Sequence, residues 1–143
     1  MRVETYYNLH KRCLSYRFTA GPKDQRFVRH AQLMILNDVK FAVQPAGRAR
    51  VLMENRKNVH AFVRGDMTYM NNDYYGNMDD YNEENLRRQN YRQITYNPYG
   101  MYDSFVYRDT GVPIKSASQV VIVGKNIYLS GKDTTHALSL IHI

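Results

Sequence analysis

Arginine beside an aromatic ring is the recurring chemical unit of this sequence. Arg26 precedes Phe27, Arg29 follows close behind, Phe62 and Arg64 alternate along one segment, and Arg108 follows Tyr107. A guanidinium is a planar fork of donors that fits two phosphate oxygens at once. A phenyl or phenol ring offers a flat face on which a base stacks, worth about 1–3 kcal/mol when well placed. Together these groups read as recognition of an anionic, aromatic ligand, a nucleotide. The candidate phosphate contacts are Arg26, Arg29, Arg64 and Arg108. The candidate stacking rings are Phe62, Tyr99 and Phe105, and Asn97 is placed to read a base or ribose edge. The densest stretch is 91–108, YRQITYNPYGMYDSFVYR, where Tyr91, Tyr96, Tyr99, Tyr102 and Tyr107 surround an Asn-Pro-Tyr-Gly turn. Most tyrosines are expected to serve strand and interface packing, which the residue favours. A ligand needs only one or two of them.

Catalytic patterns are absent. There is no G-x-x-x-x-G-K-[ST] phosphate loop, no G-x-G-x-x-G and no H-E-x-x-H. Asp109-Thr110-Gly111 matches the aspartic-protease tripeptide, but a lone tripeptide is weak evidence and a turn explains it. His10, His30, His60 and His136 are scattered, and none heads the His-x-[ST] pair that a two-histidine phosphoesterase needs. No His-x-His or Cys-x-x-Cys offers metal spacing. Asp79, Asp80, Glu83 and Glu84 do not follow a calcium loop. The reading is a binder with no catalytic residue, no metal and no cofactor; a phosphodiesterase is the enzymatic alternative left open.

Charge sharpens that reading. The 143 residues carry a net charge of +7. Residues 1–64 hold 13 Lys/Arg and 4 Asp/Glu, whereas residues 65–143 hold 7 and 9. The first half is therefore the electropositive one, suited to phosphate-bearing ligands, nucleic acid or acidic proteins. The lone Cys13 rules out an internal disulfide and fits a reducing, cytoplasmic setting. No run of 18 apolar residues could span a membrane, and the N-terminus lacks the apolar segment of a signal peptide.

The elements that must position these groups are mostly strands. Lys11–Thr19 alternates, with Leu14, Tyr16 and Phe18 on one side. It reads as a hairpin with Arg26–Leu36 across an Ala-Gly-Pro-Lys-Asp turn, followed by a strand over Asp38–Val43. Val3–Leu9 is ambiguous between strand and helical turn. Pro45 opens a short helix over Ala46–Arg56 that turns Val51 and Leu52 inward. Lys57–Gly65 returns to strand. Between 68 and 90 periodicity is lost, and six acids lie from Asp66 to Glu84 without one Lys or Arg. A long loop or arm is expected there, with a short helix at Glu83–Gln89. Strands follow at Tyr91–Asn97 and Ser104–Arg108, then a hairpin of Ser118–Val123 and Asn126–Ser130 across Gly124-Lys125. The sum is a single small α+β domain over 1–137, mainly antiparallel sheet with one or two short helices. Leu138–Ile143 resembles the translation of a transposon end used in sequencing libraries, and is set aside as a non-native tail.

Four segments, VETYYNLHKRCLSYR (3–17), FAVQPAGR (41–48), KNVHAFVRG (57–65) and YNPYGMYDSFV (96–106), resemble the Thoeris anti-defence family of small phage proteins. That resemblance implies a sponge, which sequesters cyclic ADP-ribose-type or cyclic oligonucleotide signals without degrading them. It also implies dimers or assemblies of dimers in the host bacterial cytoplasm. Two readings of other classes stand beside it: a nucleic-acid-binding accessory protein, and a protein inhibitor of a host defence enzyme. In either case, the basic first half holds phosphate or acid, and the Asn-Pro-Tyr-Gly turn supplies stacking from the same or a neighbouring subunit.

Overall fold

Alternating apolar and polar side chains build one face of a sheet that is buried and one that is not. The computed structural model describes residues 1–71 and 83–129. Ten strands form one sheet: β1 (Arg2–Asn8), β2 (Cys13–Phe18), β3 (Arg29–Ala31), β4 (Leu33–Val43), β5 (Ala61–Asn71), β6 (Arg92–Thr95), β7 (Phe105–Tyr107), β8 (Pro113–Ile114), β9 (Ser116–Val123) and β10 (Asn126–Leu129). Their spatial order is β3-β2-β1-β5-β4-β9-β10-β6-β7-β8, with every pairing antiparallel. Two short helices complete the fold, α1 (Pro45–Glu54) and α2 (Glu83–Arg88). The chain is a single small α+β domain, as its sequence predicts.

The sheet curves strongly. Three strands separate β4 from β7, yet the rings of Phe41 and Phe105 meet at 5.2 Å. One cluster therefore collects Val3, Leu14 and Val63 from one half with Ile94, Phe105 and Ile122 from the other. A bulge in β4 contributes to the bend. Its register against β5 shifts between Asn37 and Lys40, and Asp38 adopts φ 51°. Gly65 lies opposite. A Cβ there would sit 3.0 Å from the Asn37 carbonyl oxygen and 3.1 Å from Val39, so glycine lets the bulge close.

Pro45 starts α1 as expected, and Asn55 ends it in the left-handed region, its N–H donating to the Val51 carbonyl at 3.0 Å. The buried stripe is Gly47 and Val51, one turn apart; Leu52, expected inside, is exposed because it lies off that stripe. In α2, Leu86 is the buried anchor. Three sequence expectations need correction. The segment 26–36 is broken by the short β3 and Gln32 before β4 begins. Asn37 does not interrupt β4, because the Asp38 bulge absorbs the irregularity within one strand. The arm expected from residue 68 begins later, since β5 continues to Asn71 in register with Leu33. Residues 72–82 of that arm and the tail 138–143 lie outside the described residues. Among the described residues, no helix is long and apolar enough to cross a membrane.

Candidate functional site

The outward face of β1, β2, β4 and β5 carries a row of charges set by register alone. Glu4 stands opposite Arg17 on β2 and opposite Arg64 on β5, and Arg64 stands opposite Lys40 on β4. The Glu4 carboxylate is buried and accepts from both arginines, from Arg17 Nη2 at 3.1 Å and from Arg64 Nε at 2.8 Å. A buried carboxylate costs free energy unless it is paired and hydrogen-bonded, and two guanidinium groups meet that need. The pairing also fixes both arginines. Their remaining N–H groups project from a rigid base, which lowers the entropy cost of gripping an oxyanion. Lys40 is exposed and makes no ion pair among the described residues. Arg2 is held differently, by Asp38 at 3.4 Å and Asp66 at 3.7 Å.

These groups line a cleft of about 460 Å³, with Arg2, Arg17, Arg26, Lys40 and Arg64 in its walls and Glu4 as its one carboxylate. Arg2 is matched by Asp38 and Asp66, but Arg17, Arg26, Lys40 and Arg64 against Glu4 leave the cleft net positive, an attractor for phosphate. A second hollow of about 320 Å³ adjoins it and shares Glu4, Arg17 and Arg64. Its walls add Tyr6, Tyr16 and Phe62. Tyr6 and Phe62 meet edge to face, with centroids 5.9 Å apart.

The eight sequence-derived candidates do not converge on one place. Arg26, Arg64 and Phe62 come together here, although Arg26 also donates to the Gly21 carbonyl at 2.9 and 2.6 Å. Arg29 lies sandwiched over Phe18 at 4.6 Å and Phe27 at 4.4 Å, beside the cleft wall that Phe18 forms. Tyr99 and Asn97 belong to the turn between β6 and β7. Asn97 shapes that turn, its Oδ1 accepting the Tyr99 N–H at 3.0 Å and its carbonyl accepting the Gly100 N–H at 3.0 Å. Tyr99 is 62% exposed and edges a further basin of about 810 Å³. Arg108 donates to Gln93 Oε1 at 2.8 Å, on the far side of the sheet order. Phe105 is no stacking platform. It is 5% exposed, with Phe41 and Tyr96 5.2 and 5.5 Å away. As the first residue of β7 it points into the core. Sequence reasoning missed Arg2, Glu4, Arg17, Lys40 and Tyr6. Alternation around Tyr16 put Arg17 on the polar side of its strand, but only the strand pairing reveals its neighbours.

The basin is built around a polar pair. His60, buried, donates from Nδ1 to the Asn58 carbonyl at 2.7 Å, because a carbonyl can only accept. Its Nε2 lies 2.7 Å from the Tyr96 hydroxyl, so in the neutral imidazole that hydroxyl donates to Nε2. Burial holds the Tyr96 phenol above its ordinary pKa, against the opposing pull of the Arg48 charge and hydrogen bond. Arg48 donates to the Gly100 carbonyl at 3.2 Å, while its buried Nε has no partner among the described residues. Gly47 permits this packing: a Cβ there would fall 2.5 Å from the His60 Cβ. Among the described residues no three His, Cys, Asp or Glu side chains are grouped to hold a metal.

Comparison with known proteins bears on origin rather than chemistry. A family model described as Mycobacterium phage L5 gene 82 protein matches residues 1–130. The gene 82 protein of Mycobacterium phage L5 is 30% identical over 129 residues, covering 85% of this chain and 90% of that protein. No solved structure matches. Family match and identity agree over nearly the whole described chain, and the chain belongs to the phage family of the Mycobacterium phage L5 gene 82 protein.

Proposed function

We propose that this chain is a phage immune-evasion protein that binds a cyclic nucleotide or cyclic ADP-ribose-type signal and sequesters it without cleaving it. The observation that carries the reading is the Arg17–Glu4–Arg64–Lys40 row beside the Tyr6–Phe62 pair. The row offers fixed donors and net positive charge to a phosphate or pyrophosphate. The half-buried Tyr6, backed by the buried Phe62, offers a ring to a base two residues along the strand. Hydrogen bonds to charged groups contribute about 1.5–3 kcal/mol each, so two such arginines supply about two to four decades of affinity. Sequestration needs only this, without a nucleophile, a general base or a metal. Membership of a phage family supports an accessory role for the phage, and this reading places that role in the host cytoplasm. A dimer, or an assembly of dimers, would let the exposed Tyr99 and Tyr102 of one subunit approach the cleft of another.

Titration calorimetry with cyclic ADP-ribose isomers, cyclic di-AMP, cyclic di-GMP and a cyclic trinucleotide tests the reading. At least one ligand should bind, and Arg17→Gln should weaken it by about tenfold or more. Arg17 is exposed, so this variant spares the core. Absence of heat with every ligand, or an unchanged affinity in the variant, would overturn the proposal.

A further inference from the structure

The arginine cleft, the Tyr6–Phe62 hollow and the tyrosine basin adjoin in series and together make a trough of three hollows. The first two share Glu4, Arg17 and Arg64. The second and third share Tyr6 and Val59. The trough follows β1, whose residues contribute in order: Arg2, Val3 and Glu4 to the cleft, Glu4 and Tyr6 to the hollow, and Tyr6 through His10 to the basin. At about 3.3 Å per residue, Arg2 to Asn8 alone spans about 20 Å. Small-ligand sites occupy about 300–1,000 Å³. The cleft and the basin each reach that size by themselves, at about 460 and 810 Å³, so a small cyclic molecule fills one end and leaves the other empty.

We infer that the whole trough is a track for single-stranded nucleic acid, a second ligand class beyond the small signal. Its chemistry changes along its length as such a ligand requires. The cationic end grips the backbone, and the basin presents the exposed Tyr99 ring beside Pro98, a flat surface on which a base of any identity stacks. Lys57 in the basin's wall places a cation at the far end too. The charge excess of the first 64 residues, 13 Lys/Arg against 4 Asp/Glu, lies on the elements that wall most of the trough. At the stacked repeat of about 3.4 Å per nucleotide, the trough holds about four to six nucleotides, a normal site size for one small β domain. A second copy of this chain, itself net basic, or a neutral peptide would leave the cleft's excess positive charge unmatched.

Fluorescence anisotropy with labelled oligothymidylates and oligouridylates of about two to twelve nucleotides tests the inference. Affinity should rise with length and level off at about four to six nucleotides, and it should fall steeply with salt. Tyr99→Ala removes an exposed ring from the basin, so it should weaken the longer oligonucleotides by about fivefold or more while leaving the shortest unchanged. Arg17→Gln should weaken every length, and cyclic di-AMP, if captured, should compete. Two results would overturn the track: a flat response at low salt, or affinity indifferent both to length and to Tyr99→Ala. Because capture of a cyclic signal needs only the arginine cleft and the adjoining Tyr6–Phe62 hollow, oligonucleotide binding without signal capture sinks the earlier reading alone. Signal capture without oligonucleotide binding sinks this one alone.

Discussion

Two regions of this chain are rich in arginine and aromatic rings, and the sheet treats them in opposite ways. Around β1, Arg17 and Arg64 share one buried carboxylate and turn their remaining donors toward a cleft. Around β6 and β7, each arginine is satisfied locally. Arg92 pairs with Asp109 at 2.8 Å and lies over the Tyr107 ring at 3.9 Å, while Arg108 is taken by Gln93. The rings differ too. Tyr6 and Phe62 edge a hollow, whereas Phe105 is packed with Phe41 and Tyr96. Residue types alone do not make a site. Cross-strand register decides whether like groups gather into one charged surface or are spent pairwise on structure.

The contrast can be broken at several points. The largest effect should come from Glu4→Gln, Arg17→Gln and Arg64→Gln together. Removing all three charges leaves no buried ion unpaired, so the fold should hold while affinity for a phosphate-bearing ligand falls by about two to four decades, as calorimetry would show. Phe105→Ala should act on stability, costing about 3–5 kcal/mol in urea unfolding, with ligand affinity unchanged under conditions where the variant is folded. If Phe105 were instead a stacking ring, affinity would drop and stability would not. Gly47→Ala should cost about 1–3 kcal/mol, because the new methyl meets the His60 Cβ and pushes α1 from the sheet. The smallest effect concerns pH. The Arg92 hydrogen bond holds the Asp109 carboxyl below its ordinary 3.8. A depressed carboxylate pKa contributes stability that is complete above the unfolded value and lost as pH falls through the folded one. The pair is 62% exposed at Asp109 and screened by solvent, so Asp109→Asn should lower neutral stability by less than about 1 kcal/mol, leave stability below the folded pKa unchanged, and so flatten the acid limb.

Much of the fold was legible beforehand, for local reasons. Alternation marks β2, a glycine at φ 57° marks the β9–β10 hairpin, and Pro45 marks the start of α1. The site was legible only in part. Arg26, Arg64 and Phe62 stood out by type, and the charge asymmetry pointed to the right half of the chain. Glu4 could not be found that way, because its role comes from strands 13 and 60 residues distant in sequence. Phe105 misled for the same reason. Its neighbours Tyr102 and Tyr107 suggest an aromatic surface, yet its own ring points inward to Phe41, 64 residues earlier and three strands away. The Asp38 bulge was hidden because a left-handed residue inside a strand breaks no hydrophobic pattern. The Asn-Asp pair at 37–38 was its only signal.

Capture and release of ligand tests the central claim most directly. The protein is incubated with cyclic ADP-ribose isomers and cyclic di- and trinucleotides, freed of unbound ligand, denatured by heat, and its supernatant analysed by mass spectrometry. The account predicts intact ligand from the native chain and none above background from the Glu4, Arg17 and Arg64 triple variant. Cleaved ligand from the native chain, or intact ligand recovered equally from both proteins, would contradict it.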